Sequence, residues 1–176
     1  MIFCIEGPNG VGKSTVVDFL RSEAGVFPPG TFWIQFPHRH PTDESYCSLG
    51  AETRGYEVFT ALYRPESVYV FDRWSTITSV VYNRIRGVEN PTWLLYPEWL
   101  LDLRIIGLSA SPEVLLERLQ ARLCCRDRYT LNRVKLVVEQ YEERYREISL
   151  RGIPVLRAES LDSEKIIKFI RLEIKS

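Results

Sequence analysis

The feature that most constrains this chain is a glycine-rich turn close to its first residue. The segment "GPNGVGKST", residues 7–15, follows the apolar run "MIFCI" and precedes "VVDFL". Its spacing, Gly7-x-x-x-x-Gly12-Lys13-Ser14, matches the phosphate-binding loop in full, and a strand before the loop with a helix after it is the context that such a loop requires. The alternative, a tight turn without a ligand, does not explain the lysine and the serine. The sequence therefore predicts a strand, a phosphate-binding loop and a helix at its start.

Each residue type in this loop has a defined part in binding phosphate. Glycines let the backbone curl so that its N–H groups face phosphate oxygens, the lysine reaches the terminal phosphates, and the serine hydroxyl can ligate magnesium. ATP and Mg²⁺ are the cofactors that this pattern indicates. The residues predicted to bind the donor nucleotide are Gly7, Gly10, Val11, Gly12, Lys13, Ser14, Thr15 and Arg122, with Lys13 also predicted to be catalytic and Ser14 to bind the metal.

Composition narrows the class of protein. The 176 residues are 45% hydrophobic, enough for one domain with a sizeable core. Basic and acidic residues balance at 23 each, so no net charge draws the protein to nucleic acid or to a membrane surface. No apolar run reaches the roughly 18 residues of a membrane-spanning helix. We expect one cytoplasmic domain, residues 1–176, that binds neither nucleic acid nor membrane.

The order of the segments predicts a parallel sheet. Short apolar runs rich in β-branched and aromatic residues alternate with longer stretches of helical period, as in α/β folds with helices on both faces. The strand candidates are "MIFCIEG", "TFWIQFP", "SVYVFD", "LRIIGLSA" and "IPVLRA". The helix candidates are Lys13–Ala24, a segment around Glu52–Tyr63, Ser75–Arg86, Pro91–Leu100, Pro112–Leu123, Leu131–Leu150 and Ser163–Ile174.

Two further groups of residues point to phosphate chemistry. Asp72 ends the candidate strand "VYVFD", where such folds place a magnesium-binding carboxylate, and Arg73 follows it directly. The segment "ERLQARLCCRDRYT" carries four arginines: Arg118, Arg122, Arg126 and Arg128. Arg118 is as well explained by a solvated helix surface. Arg126 and Arg128 follow the helix, in a predicted lid of approximately residues 122–130 that closes over the transferring phosphoryl group, and we assign them a catalytic role with Lys13, Asp72 and Arg73.

Taken together, these motifs resemble the thymidylate kinase branch of the nucleoside and nucleotide kinases. The resemblance covers nearly the whole chain: "FCIEGPNGVGKST" is similar to that family's opening strand and loop, "FPHR" to its Phe-Pro-x-Arg loop, and "DRW" to its Asp-Arg-Tyr. "RLQAR" with "RDRYT" resembles its lid, and "PVLRAESLDSEKIIKFI" resembles its last strand, adenine-side loop and closing helix. The family implies a P-loop NTPase fold with five parallel strands, flanking helices and an arginine-bearing lid.

The resemblance also implies an acceptor site. Arg39 and Arg73 would meet the phosphate of the acceptor nucleotide, and Asn9 stands where the family usually has an acid that touches the acceptor sugar. The substrate-binding residues that it implies are Asn9, Phe36, Arg39, Phe59, Arg64, Arg73, Tyr82 and Asn83, with Phe59 stacking on the base and Tyr82 and Asn83 contacting it. Only "PES" separates this region from the third strand, so the helical arm usual in the family is cut away.

The resulting hypothesis is transfer of the γ-phosphoryl group from Mg-ATP to a deoxynucleoside monophosphate, with dTMP favoured. A deoxynucleoside kinase is the first alternative; it would need a carboxylate just beyond the second strand, where Gln35 stands, although Asp43 and Glu44 lie further along the loop. A nucleotide-binding switch NTPase without an acceptor is the second alternative, and it would not need both Arg39 and Arg73. The expected partners are small nucleotides, with a homodimer through aromatic faces of residues 75–86 and 91–100 also open.

Overall fold

The computed structural model shows a five-stranded parallel sheet and describes residues 1–35, 57–97, 99–122 and 129–175. The strand order is β2-β3-β1-β4-β5, with β1 in the centre. The strands are β1 (Ile2–Glu6), β2 (Phe32–Gln35), β3 (Tyr69–Asp72), β4 (Leu103–Leu108) and β5 (Val155–Ala158). All five predicted strands are present and pair in parallel, so the predicted fold class is confirmed.

Helices lie between the strands in the order that the sequence predicted. They are α1 (Lys13–Ser22), α2 (57–62), α3 (Thr78–Ile85), α4 (Thr92–Leu95), α5 (Pro112–Gln120), α6 (Leu131–Ser149) and α7 (Ser163–Lys175). Ser111 caps α5 as its sequence indicated, because its side chain accepts a hydrogen bond from the Val114 amide at 3.3 Å. Among the described residues, no helix is long and apolar enough to cross a membrane.

One predicted helix is wrong in its extent. The sequence predicted a helix over Pro91–Leu100, but α4 stops at Leu95 and a separate 3₁₀ turn spans Leu100–Asp102. The cause is Pro97: the residue before a proline is disfavoured in the helical region, and Tyr96 accordingly adopts φ −140° and ψ 69°.

The core fills both faces of the sheet, which explains why the central strands are apolar at consecutive positions. Side chains of β1 alternate between the faces: Ile2 and Cys4 join one cluster, and Phe3 and Ile5 join the other. The first cluster includes side chains of α3 and α6, and the second includes side chains of α1, α5 and α7. Because the five strands run in parallel, their carboxyl ends form one edge, where ligands bind in such folds.

Candidate active site

The predicted phosphate-binding loop lies at the carboxyl end of β1, and its backbone passes close to neighbouring segments. Gly7 has φ 146°, and a Cβ there would stand 2.5 Å from the carbonyl oxygen of Leu108. Gly12 has φ 101°, and a Cβ there would stand 2.7 Å from the Cβ of Ser160 in the loop after β5. Any side chain at either position would force the loop away from its neighbours, so these two glycines fix its path.

Lys13, the first residue of α1, turns back onto the loop. Its Nζ donates to the carbonyl oxygens of Gly7 at 2.8 Å and Pro8 at 2.7 Å. The side chain is buried, and burial together with the positive charge of Arg73 lowers the pKa of Lys13. The loop thus holds a buried ammonium group against its own carbonyls, close to a second cation, and a bound polyphosphate would satisfy both charges.

The other residues predicted to bind the donor differ in burial and in their contacts. Ser14 and Thr15 are exposed in the first turn of α1, whereas Val11 is buried in the core. Arg118, which the sequence left open between a surface charge and a functional residue, donates from Nη1 to the carbonyl oxygen of Gly10 at 3.3 Å. Arg122 lies near enough for its charge to lower the pKa of Lys13.

Asp72 ends β3 directly beside the loop, since it is in register with Ile5 of β1. The carboxylate is buried; its Oδ2 lies 3.4 Å from Nε2 of Gln35, and its Oδ1 has no hydrogen-bond partner among the described residues. A buried carboxylate oxygen normally has a partner, which can be a protein donor, a water or a cation. With the Ser14 hydroxyl, it provides oxygen donors of the kind that Mg²⁺ prefers, so these residues fit the metal that the loop implies.

Arg73 bends sharply away from the strand and points back to the loop. It has φ 71°, a left-handed conformation that is rare for a residue with a side chain and costs about 1–3 kcal/mol. Its amide donates to the carbonyl oxygen of Ile5 at 3.2 Å, and its Nη2 donates to Oδ1 of Asn9 at 2.6 Å. Arg73 and Asn9, which the sequence analysis assigned to the acceptor, are therefore brought together.

A buried carboxylate that the sequence analysis did not assign lies beneath Arg73. Glu6, the last residue of β1, is fully buried and accepts hydrogen bonds from the Trp74 amide at 2.5 Å and from Oγ1 of Thr78 at 2.8 Å. The hydroxyl of Tyr141 on α6 lies 3.1 Å from the same Thr78 oxygen. Burial raises the pKa of Glu6 to about 7, against the opposing charge of Arg73. Because Glu6 fixes the amide that follows Arg73, it stabilises the left-handed turn.

A second residue missed from the sequence is Arg144, in the middle of α6. Its side chain is fully buried; Nε donates to the carbonyl oxygen of Thr76 at 3.0 Å, and Nη2 donates to that of Leu95 at 2.6 Å. Glu147, one turn later, pairs with Nη1 of Arg144 at 3.1 Å and with Arg84 at 2.9 Å. The segment after Arg73 is thus anchored to α6. An arginine at a buried position of an amphipathic helix is the only signal that could have indicated it.

The residues predicted to contact the acceptor base lie in α2, α3 and the segment between α2 and β3. Phe59 is 6% exposed among the rings of Tyr63, Tyr69, Phe71, Trp74 and Trp99, so most of its surface is already covered. Arg64 is exposed. Tyr82 is half-buried on α3, and the buried Asn83 donates to Asn90 at 2.9 Å. Their contacts with a base stay predictions.

Several predicted site residues lie outside the described part of the chain. These are Phe36, Arg39, Arg126 and Arg128, together with most of the predicted lid of residues 122–130. Tyr129, at the end of that segment, is described: its hydroxyl accepts a hydrogen bond from Nδ2 of Asn9 at 3.3 Å. Asn9 therefore touches both Arg73 and the residue that follows the predicted lid arginines.

Comparison with known proteins finds solved structures with a similar fold. No protein-family model matches the chain, and no curated protein matches its sequence. A deoxyadenosine kinase from M. mycoides, solved with dCMP and dCDP, matches with a TM-score of 0.61 and 18% identity over 99% of both chains. The YorR protein of Bacillus subtilis, solved with phosphorylated GDP, matches with a TM-score of 0.65 and 19% identity over 99% of this chain and 96% of its own.

A third similar structure is that of a polyphosphate kinase. Polyphosphate kinase 2 from Arthrobacter aurescens matches with a TM-score of 0.64 and 17% identity, over 98% of this chain and 66% of its own. At these identities the likeness is one of fold. This protein has the α/β fold of the P-loop kinases, with its loop, Asp72 and Arg73 converging at the carboxyl edge of the sheet.

Proposed function

We propose that this protein is a kinase that transfers the γ-phosphoryl group of Mg-ATP to a deoxynucleoside monophosphate, with dTMP as the favoured acceptor. The observation that carries the proposal is the convergence of two cations at the phosphate-binding loop. Lys13 lies on the loop carbonyls, and Arg73 reaches the loop at Asn9 from the end of β3. In this proposal Lys13 binds the donor phosphates and Arg73 binds the acceptor phosphate.

The donor side follows from the loop and from the first turn of α1. Phosphoryl transfer needs in-line positioning and neutralisation of developing negative charge more than a strong covalent catalyst. Lys13 provides a preorganised cation, and the N-terminus of α1 adds partial positive charge. Ser14 and Asp72 would hold Mg²⁺, which when bound neutralises charge on the transferring phosphoryl group.

The acceptor side depends on Arg73. A guanidinium group can hold phosphate oxygens bidentately, which suits a monophosphate acceptor. Its strained backbone, supported by the Glu6 hydrogen bond to the next amide, fixes where this side chain leaves β3. Strained residues of this kind occur where the surrounding structure holds them for a function. Arg39 is proposed as the second cation of the acceptor phosphate.

A deoxynucleoside kinase, with the 5′-hydroxyl as acceptor, is the second candidate. The observation in its favour is the match to the M. mycoides deoxyadenosine kinase, which spans 99% of both chains. Gln35 at the end of β2 does not provide the carboxylate that would help to deprotonate a hydroxyl, although Asp72 lies 3.4 Å from the Gln35 amide. In this candidate, Asp72 would help to deprotonate the acceptor hydroxyl and would not bind the metal.

A screen of acceptors distinguishes the two. The wild-type protein is incubated with saturating Mg-ATP and each natural nucleoside or nucleoside monophosphate, and ADP release is followed by a coupled assay. We expect the highest kcat/KM with deoxynucleoside monophosphates, and with dTMP among them. Higher values for nucleosides would establish the second candidate, and ADP release independent of any acceptor would contradict both.

A further inference from the structure

The carboxamide of Asn9 joins the phosphate-binding loop to Arg73 and to Tyr129. Arginine has only donors, so the atom of Asn9 that faces Arg73 at 2.6 Å is Oδ1. The Nδ2 group then faces the hydroxyl of Tyr129 at 3.3 Å, and the phenol oxygen accepts. Both polar ends of the side chain have partners within the protein before any ligand binds.

The charges around Asn9 explain why a neutral side chain matters here. Arg118 binds the loop at Gly10, Arg73 binds it at Asn9, and Lys13 is buried within it. The carboxylates of Glu6 and Asp72, at the ends of β1 and β3, oppose the positive charge of Lys13. A carboxylate at position 9 would add a third anion and pair directly with Arg73, in competition with a phosphate for the same guanidinium. An amide orients the guanidinium and leaves its charge in place.

We propose that Asn9 is a positioning and specificity residue, whose amide directs Arg73 toward the loop without neutralising it and so reserves the positive charge for an acceptor phosphate. The inference rests on the proposed function. Tyr129 fixes the rotation of the amide, because its hydroxyl accepts from Nδ2 and thereby keeps Oδ1 toward Arg73. This role differs from the contact with the acceptor sugar that the family resemblance implied for residue 9.

The two roles predict opposite results for Asn9→Asp, which preserves the shape of the side chain and adds a charge. If Asn9 leaves the charge of Arg73 for an acceptor phosphate, Asn9→Asp should lower kcat/KM for dTMP by about 10- to 100-fold, the factor of one charge-assisted hydrogen bond. This loss should exceed that of Asn9→Ala. Turnover of thymidine changes much less in both variants. Tyr129→Phe gives a smaller loss on dTMP. If Asn9→Asp matches or exceeds wild type while Asn9→Ala is impaired, residue 9 contacts the sugar and the inference is wrong.

A measurement without substrate separates this inference from the proposed function. In a double-mutant cycle of unfolding temperature, Asn9→Asp is combined with Arg73→Gln. We expect Asn9→Asp to raise the unfolding temperature of the ligand-free protein and to lose that gain when Arg73 is absent, because the introduced carboxylate pairs with the guanidinium. No coupling between the two positions would overturn the inference. Wild-type preference for thymidine would refute the monophosphate acceptor and the reservation of charge for its phosphate, whereas a measured coupling would still establish the orienting contact between Asn9 and Arg73.

Discussion

Lys13 and Glu6 are both buried ionisable residues, and burial acts on them in opposite directions. It lowers the pKa of Lys13 and raises the pKa of Glu6 to about 7. Hydrogen bonds offset part of this cost, since Lys13 donates to two loop carbonyls and Glu6 accepts from Trp74 and Thr78. The ligand-free site therefore holds its charges at a cost that a bound polyphosphate would reduce at Lys13.

Replacing Lys13 by alanine should reduce activity strongly and change the free energy of unfolding little. We expect kcat to fall by about 10²–10³-fold or more, because the proposed role of the ammonium group is to neutralise charge on the transferring phosphoryl group. The free energy of unfolding should change by only about 1 kcal/mol, since two hydrogen bonds are lost but a buried charge is removed with them. Activity and urea denaturation are measured beside Lys135→Ala, an exposed lysine on α6. Full activity of a folded Lys13→Ala protein would contradict the role of the loop.

The pKa of Glu6 makes a prediction about stability against pH. A carboxyl group raised from 4.5 to about 7 binds more protons in the folded than in the unfolded chain across that interval. Its contribution is therefore complete below pH 4.5 and is lost as the pH rises through 7. Relative to Glu6→Gln, the wild-type free energy of unfolding should fall by about 1–3 kcal/mol over this range. Urea midpoints of both proteins at several pH values test this, and parallel curves would show that Glu6 does not titrate there.

At the scale of secondary structure, α6 contributes more to the site than its place in the chain indicates. Tyr141 reaches the Glu6 network through Thr78, and Arg144 holds the carbonyl oxygens of Thr76 and Leu95. The helix therefore anchors the segment that follows Arg73, on the side of the sheet opposite α1. A substitution in the middle of α6 should therefore alter the site at the carboxyl edge of the sheet.

The variant Arg144→Met tests this anchoring. It keeps much of the side-chain volume but leaves the carbonyl oxygens of Thr76 and Leu95 without their guanidinium partner, whereas Glu147 keeps its pair with Arg84. We expect a loss of about 2–4 kcal/mol in the free energy of unfolding, the cost of unsatisfied buried polar groups. In protein that remains folded, kcat/KM for the acceptor should fall more than the KM for ATP rises. Arg146→Met, an exposed neighbour on the same helix, is the control. Equal stability of the two variants would refute the anchoring role.

Most strands and helices could be predicted from the sequence, but the contacts between them could not. Consecutive apolar residues predicted β1, β3 and β4 because both faces of the sheet are covered, and the loop spacing placed α1. The network beneath Arg73 leaves no such periodic signal: Glu6 and Thr78 are 72 positions apart, and Thr76 and Arg144 are 68 apart. Only the folded sheet brings them together. The helix predicted for α4 was too long, because Pro97 ends the helix although the apolar pattern continues beyond it.

At the scale of the whole molecule, a chain of zero net charge gathers Lys13, Arg73 and Arg118 at one edge of the sheet. Glu6 ends β1 and the loop follows it, Asp72 ends β3 and Arg73 follows it, and Arg118 reaches the loop from α5. The proposed function needs no long-range field, because these charges would attract a nucleotide locally, within about 10 Å at ordinary salt. The groups proposed to bind donor and acceptor lie at neighbouring strand ends, because β1 and β3 are adjacent.

This arrangement predicts which acceptor depends on Arg73. If the guanidinium holds an acceptor phosphate, Arg73→Ala should lower kcat/KM for dTMP by a few kcal/mol in transition-state binding, about 10²–10³-fold, because a hydrogen-bonded charge partner is removed. Any slow phosphorylation of thymidine should change much less, since its hydroxyl brings no anion to this position. Both acceptors are measured under saturating Mg-ATP, with Arg133→Ala, an exposed arginine on α6, as the control. Equal losses on dTMP and thymidine would place Arg73 on the donor phosphates, and the monophosphate kinase would give way to the nucleoside kinase.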